Sequence, residues 1–359
     1  MQTATKKKIA HLLLLDSLGG VEHWYIDLAK HGFFDYGEHI VFAIGNTRAQ
    51  DVIDKLSSFV RVESIPVASL RETITFFVQE RKHLQSFDVV YNHAYYRSLK
   101  VLLLFRLFTK AQVITHNHSA AYRSIKHKKH AFFAAIARKL IARFSHQKVA
   151  VSQAAAIDLF GTTKKVKIIS CYLHQYSTVV PKAITARKQG GALRLVHIGR
   201  FYHSDYFFNA KNQAFLIDVL YWLQQKGIPF QMTFCGGGDV TFLKEKINFL
   251  GIDAASVRFV SYANPFELLA QQDIFLFPSQ HEGYGLSLVE AQLIGTYSIV
   301  SENIPKEAIL DPARVCVLPT ALSDAKAWAE EIKGFVPRQY EKINLPPYQT
   351  HIDDIRSLF

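Results

Sequence analysis

The sequence predicts an α/β protein of two consecutive Rossmann-like, doubly wound domains facing a central cleft. Short apolar runs alternate with stretches of helical periodicity along the whole chain, which is the mark of βα units and parallel sheets. The alternation breaks once, between Ser177 and Gly191, where Pro181, Lys182, Arg187, Lys188 and Gly190 make a polar, turn-rich linker. A length of 359 residues gives each domain room for its own core. The expected boundaries are 1–180 for the first domain, 191–335 for the second, and a tail, 336–359, crossing back to the first.

In the first domain, strands are expected at Ile9–Leu15, His39–Ile44, Val60–Ser64, Val89–Asn92, Gln112–Thr115, Lys148–Val151 and Val166–Ile169. The first of these follows a basic N-terminus, but it contains His11 and stops at Asp16. It is short for a secretory signal and reads as a buried strand. A helix follows near Val21, beyond Gly19-Gly20. His130–Phe144 sets Phe133, Ile136, Leu140, Ile141 and Phe144 at helical spacing, with Arg138, Lys139 and Arg143 between them. That pattern fits a packed helix, and its lack of acids leaves a membrane-surface helix open as well. In the second domain the order is strand Arg194–Ile198, helix Asn212–Gln225, strand Pro229–Cys235, helix Val240–Leu250 and strand Val257–Val260. Helix Pro265–Gln271, strand Ile274–Pro278, helix Ser287–Ile294 and strand Tyr297–Ser301 complete it.

Composition narrows the function. A hydrophobic content of 49% with 20% charged residues describes a folded globular chain and excludes a disordered one. The apolar run Val101–Phe108 is broken by Arg106, and no run approaches the length that spans a bilayer. Cys171, Cys235 and Cys316 lie far apart without metal-ligand spacing, so neither a disulfide framework nor structural zinc is expected. A cytoplasmic protein is the expectation. Residues 1–190 hold 28 Lys and Arg against 12 Asp and Glu, whereas the rest hold 14 against 18. No acidic residue occurs from Val89 to Ile157, which points to an anionic partner for the first half. No nucleic-acid recognition motif accompanies the charge. An anionic membrane surface or a phosphate-bearing acceptor fits it.

The most chemical segment runs from Pro278 to Ala291. A strand passes through Glu282-Gly283-Tyr284-Gly285 into a helix starting near Leu286 and Ser287, with Glu290 on that helix. The unpaired N–H groups of a helix start favour an anion, and flanking carboxylates suit sugar hydroxyls, so the segment fits a sugar nucleotide. Three further features fall at the same carboxyl edge of the sheet: Gly199-Arg200, Lys211, and Gly236-Gly237-Gly238-Asp239. Arg200 and Lys211 would donate to a diphosphate on which charge builds as it leaves. Each signal alone also has an ordinary explanation. The glycine run lacks a phosphate-loop fingerprint. Ser287 to Glu290 matches a capping box, in which Glu290 would only close the helix start.

In order and spacing, Gly199-Arg200, Lys211-Asn212-Gln213, Gly236–Asp239 and Glu282-Gly283-Tyr284-Gly285 with Glu290-Ala291 resemble the family-4 retaining glycosyltransferases of GT-B fold. The likeness is to bacterial enzymes of capsule, exopolysaccharide and O-antigen assembly. In the first domain, Gly19-Gly20-Val21-Glu22, His93 and Thr115-His116-Asn117-His118-Ser119 resemble that family's loop and histidine-bearing strand ends. The resemblance implies an acceptor-side first domain and a nucleotide-sugar-binding second one. Glu290 would hold the ribose and Glu282 the donor sugar. Arg200 and Lys211 would clamp the diphosphate, with backbone N–H groups of Gly20 and Gly283 to Ser287. His116 would lie near the reacting carbon, with His93 and His118 competing for that place. It further implies a hexosyl transfer with retention, from a nucleotide sugar such as a UDP-sugar to a lipid-linked or growing glycan, with no metal and no cofactor. A sugar-nucleotide epimerase or hydrolase, or a non-catalytic binding partner, are the alternatives. Two departures stand out: the aromatic loop 201–210 is long, and Ile169-Ser170-Cys171 replaces the family's Asn-Gly turn.

Overall fold

A computed structural model describes residues 7–15, 19–44, 50–120, 128–183, 191–201 and 210–359. Most of the aromatic loop, part of the linker, and Arg123 and Lys126 of the basic stretch lie outside the described residues. Two compact units emerge: Met1–Ser177 with Pro346–Phe359, and Thr178–Leu345.

In the first unit the order is β1 (Lys8–Leu14), α1 (Gly20–Lys30), β2 (Glu38–Ile44), α2 (Gln50–Ser57), β3 (Arg61–Ile65), α3 (Leu70–Gln79) and α4 (Arg81–Leu84). Then follow β4 (Val89–Asn92), α5 (Leu99–Phe108), β5 (Gln112–Asn117), α6 (Lys128–Phe144), β6 (Gln147–Ala150), α7 (Gln153–Phe160) and β7 (Val166–Ile168). The sheet is parallel, in the order β3-β2-β1-β4-β5-β6-β7. Near-continuous apolar strands such as Ile9 to Leu13 are buried on both faces, which is why they do not alternate with polar residues. Strand order reverses between β1 and β4, and that opens the crevice where such sheets take ligands.

The second unit runs β8 (Leu193–Ile198), α8 (Gln213–Gln225), β9 (Phe230–Cys235), α9 (Thr241–Phe249), β10 (Val257–Val260), α10 (Pro265–Ala270), β11 (Ile274–Phe277), α11 (Leu286–Leu293), β12 (Tyr297–Ser301), β13 (Val315–Leu318) and α12 (Ala325–Lys333). Its parallel sheet has the order β10-β9-β8-β11-β12-β13, reversing between β8 and β11. Strand β13 and helix α12 are additions to the sequence reading. The strand has only four residues at the sheet edge and stays half-exposed, so it has no buried run to announce it. Trp328 of α12 packs edge-on against Phe215 of α8. The chain ends with α13 (Tyr348–Arg356), whose His351, Ile352 and Ile355 are buried in the first unit. Each expected strand forms within a residue or two of its place, because a buried parallel strand is a short apolar run with few alternatives. The three cysteines are free.

Candidate active site

At the carboxyl ends of β8 and β11 the second unit gathers the acidic and basic residues that the sequence singled out. Lys211 donates to Glu282 Oε1 at 2.6 Å, and its ammonium lies 5.1 Å from the centre of the Phe277 ring. The pair is held by backbone, since Gln280 N–H donates to the Ala210 carbonyl at 2.7 Å. Both side chains are largely buried, so a ligand entering here meets a paired, desolvated ammonium and carboxylate.

The triplet Lys211-Asn212-Gln213 divides its work by residue type. Asn212 caps α8 in the left-handed conformation (φ 52°), which asparagine adopts more readily than most side-chain-bearing residues. Gln213, fully buried, donates its amide to the Arg200 carbonyl at 2.8 Å and so fixes the end of β8. Arg200 therefore stands on a tethered backbone, one residue beyond Gly199. Among the described residues of the second unit, three buried side-chain polar atoms have no hydrogen-bond partner: His197 Nε2, Gln213 Oε1 and Ser279 Oγ. They sit on β8, at the start of α8 and just after β11, the same elements that carry Arg200, Lys211 and Glu282. Sequence reasoning gave none of the three a role, although Gln213 stood in the Lys211-Asn212-Gln213 pattern; a histidine inside an apolar strand, His197, was the available signal.

The glycine run has a packing role. A Cβ on Gly236 would lie 2.1 Å from the Gly199 carbonyl oxygen, and one on Gly238 would lie 2.0 Å from that of Phe201. Gly199 N–H donates to Cys235 C=O and Phe201 N–H to Gly237 C=O, so the ends of β8 and β9 run backbone against backbone. Gly237 meets nothing within 4 Å and carries no such demand.

Helix α11 starts two residues earlier than the capping-box pattern requires. Gly285 is its N-cap at φ 107°, in the left-handed region, and no side chain caps it. Ser287 is thus already helical, and Glu290 lies beyond the position from which a box glutamate reaches back. The ordinary explanation for Glu290 therefore fails, and its carboxylate sits buried on the second turn. The first internal bond is Leu288 N–H to Gly285 C=O, so the N–H groups of Leu286 and Ser287 stand ahead of the helix's own hydrogen bonding.

In the first unit a cavity of about 170 Å³ opens at the β1/β4 reversal. Leu13, Leu15 and Val21 give it an apolar side, and Glu22, His93 and His118 a polar one. Gly19 and Gly20 start α1 at its edge, and Glu22 caps that start by accepting from Gly19 N–H at 2.9 Å. His116 is not on the wall. Its ring is fully buried, with Nδ1 bonded to Tyr91 Oη (2.8 Å) and Nε2 to the Ile169 carbonyl (3.2 Å). It sits inside β5, whereas His118 lies just past the strand end, where a side chain can reach the crevice. The ring nitrogens of His93, His116 and His118 come within 4.8 Å of one another. A cation there would have to displace a bond that His116 already makes.

Burial decides the charge of these rings. It holds His116 well below 6.5, with His118 adding to the effect, and holds His93 well below 6.5, with His118, His116 and His11 adding. Burial lowers His118 to about 3 and pushes the Cys171 thiol up to about 12, so both are neutral at pH 7.

Residues 192–336 match the family model described as Glycosyl transferases group 1. The chain is 23% identical over 345 residues to a putative glycosyltransferase EpsF of Bacillus subtilis, covering 92% of this chain and 88% of that one. It is 24% identical over 351 residues to the capsular polysaccharide biosynthesis glycosyltransferase CapH of Staphylococcus aureus, covering 92% and 91%. Among solved structures, Anabaena HepE in complex with UDP and glucose superposes with a TM-score of 0.70 at 18% identity, over 91% of this chain and 89% of that one. The fold is that of the GT-B glycosyltransferases.

Proposed function

We propose that this chain, which carries a group 1 glycosyltransferase domain at residues 192–336, moves a hexose from a UDP-sugar to a lipid-linked or growing surface polysaccharide. The observation that carries the proposal is the Lys211–Glu282 pair, set beside the start of α11 at the β8/β11 reversal. Lys211 and Arg200 would neutralise the diphosphate, and the N–H groups of Leu286 and Ser287 would add donors to it. Glu290 would take the ribose hydroxyls. Glu282, drawn partly off Lys211 when the phosphates arrive, would accept from the sugar hydroxyls. Gly236 and Gly238 serve the backbone packing around that pocket. The bond from the anomeric carbon to the phosphate oxygen breaks as that carbon bonds the acceptor oxygen on the same face. The acceptor's hydroxyl hydrogen passes to the departing phosphate, so retention needs no metal and no added base.

The polysaccharide acceptor is supported by the likeness to CapH, and the UDP-sugar by the likeness to HepE. The acceptor hydroxyl would enter the first unit's cavity, whose wall holds His118 and not His116. Cytoplasmic attachment to an anionic membrane face is part of the same reading. On α6 the exposed residues Phe132, Ile136, Lys139 and Arg143 are spaced four, three and four apart and so form one stripe, with Phe133 beside it. Phe132 is 64% and Phe133 68% exposed, and no acid lies within the surrounding stretch Val89–Ile157.

The test is transfer from UDP-hexoses to a lipid-linked acceptor fraction, with the anomeric configuration of the product read by NMR. Glycoside with the donor's configuration, lost in Glu282→Ala, is the expected result. Donor consumed at the same rate without acceptor would instead make the chain a hydrolase or epimerase.

A further inference from the structure

Six hydrogen bonds run in series through the first unit. The Tyr36 carbonyl meets His39 Nε2 at 2.6 Å, and His39 Nδ1 meets His11 Nε2 at 2.8 Å. His11 Nδ1 meets Tyr25 Oη at 2.7 Å, and Tyr25 Oη meets His93 Nε2 at 3.0 Å. His93 Nδ1 meets His118 Nε2 at 2.9 Å, and His118 Nδ1 meets Cys171 Sγ at 3.6 Å. The string begins at a backbone carbonyl beside β2, passes through His93 and His118 in the wall of the cavity at the β1/β4 reversal, and ends on the buried Cys171 thiol.

A neutral imidazole carries one N–H and one lone pair, on different nitrogens, and a phenol carries one hydrogen. Each member can therefore give to one neighbour only while it takes from the other. The whole string has two neutral arrangements: every hydrogen points toward Tyr36, or every hydrogen points toward Cys171. A carbonyl has no hydrogen to give. The first arrangement keeps all six bonds, whereas the second sets the His39 Nε2 lone pair against the carbonyl oxygen and ends on a weakly accepting sulfur.

We infer that the Tyr36 carbonyl fixes the polarity of the entire string, so that His39 and His11 are positioning residues that hold His93 and His118 as their Nε2–H tautomers in the cavity wall. All four nitrogens of His93 and His118 are taken by the string, so a hydroxyl-bearing ligand would meet it at its weak end, donating to the His118 Nδ1 lone pair in place of the Cys171 thiol at 3.6 Å. Cutting the string at its anchor frees it to reverse: with no acceptor at His39, a reversed string leaves a buried lone pair at His11 instead of a buried orphan N–H, and orphaned N–H groups are the rarer of the two in folded proteins.

The test uses the full-length protein with ¹⁵N-labelled histidine and long-range ¹H–¹⁵N spectra at pH 7. His11, His39, His93 and His118 are expected to be neutral and Nε2–H. In His39→Phe, the signals of His11, His93 and His118 are expected to move to Nδ1–H. In Tyr25→Phe, which interrupts the string midway, His11 and His39 should stay Nε2–H while His93 and His118 lose that preference. A parent protein with any of the four as Nδ1–H or imidazolium, or a His39→Phe protein with His118 unchanged, overturns the inference. Its bearing on the reaction rests on the proposed transferase reading and is read separately. His39→Phe should lower sugar transfer roughly tenfold or more, with donor binding by the second unit unchanged. Unchanged transfer alongside reversed tautomers would cut the link to the reaction.

Discussion

Lys211 and Glu282 are each other's partners, so removing either leaves a largely buried charge behind. The two losses should nevertheless read out differently. Lys211→Ala removes a phosphate donor and should weaken UDP binding about tenfold or more, measured by calorimetry. Glu282→Ala should leave UDP binding within a few-fold while sugar transfer falls by about 10². Equal effects of both variants on UDP binding would contradict the division of roles. At this scale the sequence was legible where residue type and order both mattered: Arg200, Lys211, Glu282 and Glu290 all fall at one sheet edge. It could not choose between His116 and His118, because two histidines separated by one residue differ only in whether the strand has ended. Ser287-x-x-Glu290 was misleading. Gly285, in a backbone region closed to most residues, starts the helix ahead of it.

Elements raise a different question, namely which contacts a local motif serves. The three glycines after β9 look alike in the sequence, yet only Gly236 and Gly238 lie against backbone. Gly236→Ala should cost at least ~2 kcal/mol, because neither carbonyl nor strand can move aside. Gly237→Ala should change stability by no more than about 0.5 kcal/mol. Thermal melts of the pair decide this, and equal losses would show that the loop is not a backbone seam. Helix α6 poses the converse case: its period was legible, but which face is covered was not. Ala134, Ala137 and Ile141 are buried, while the aromatic pair stays out. Phe132→Ser with Phe133→Ser, and separately Lys139→Ser with Arg143→Ser, should each lower co-sedimentation with anionic vesicles. The cationic variant should lose its remaining salt dependence. Vesicle binding that both variants retain would remove α6 from the membrane reading, and loss of self-association instead would make the stripe an interface between copies.

For the whole molecule, the alternation of strand and helix made the two sheets legible throughout. The edge strand β13, and α12 and α13, were not recognised, since their apolar residues are few and only tertiary packing gives them a partner. Several histidines that vanish into apolar strands have a global consequence. Burial lowers His118 and His197 to about 3 and His351 to about 4, and holds His11, His93 and His116 well below 6.5. Unfolded, each titrates near 6.5, so below that pH the unfolded chain binds more protons than the native one. Stability should therefore be fully present above pH 6.5 and fall steeply as pH drops toward 4, with a slope set by several protons. Urea midpoints between pH 7.5 and 5 measure it, and a flat profile would mean these rings are charged or solvated in the native state.

On the proposed reading, the second unit binds a nucleotide sugar through Lys211, Glu290 and the start of α11. A thermal-shift panel of nucleotides and nucleotide sugars tests it most directly. At a hundred times its dissociation constant, a ligand adds about 2.7 kcal/mol of native-state stability. The expected result is a clear rise in Tm with UDP and UDP-hexoses that shrinks in Glu290→Ala at the same ligand concentration. No rise with any nucleotide, or a rise that Glu290→Ala leaves untouched, would contradict the account.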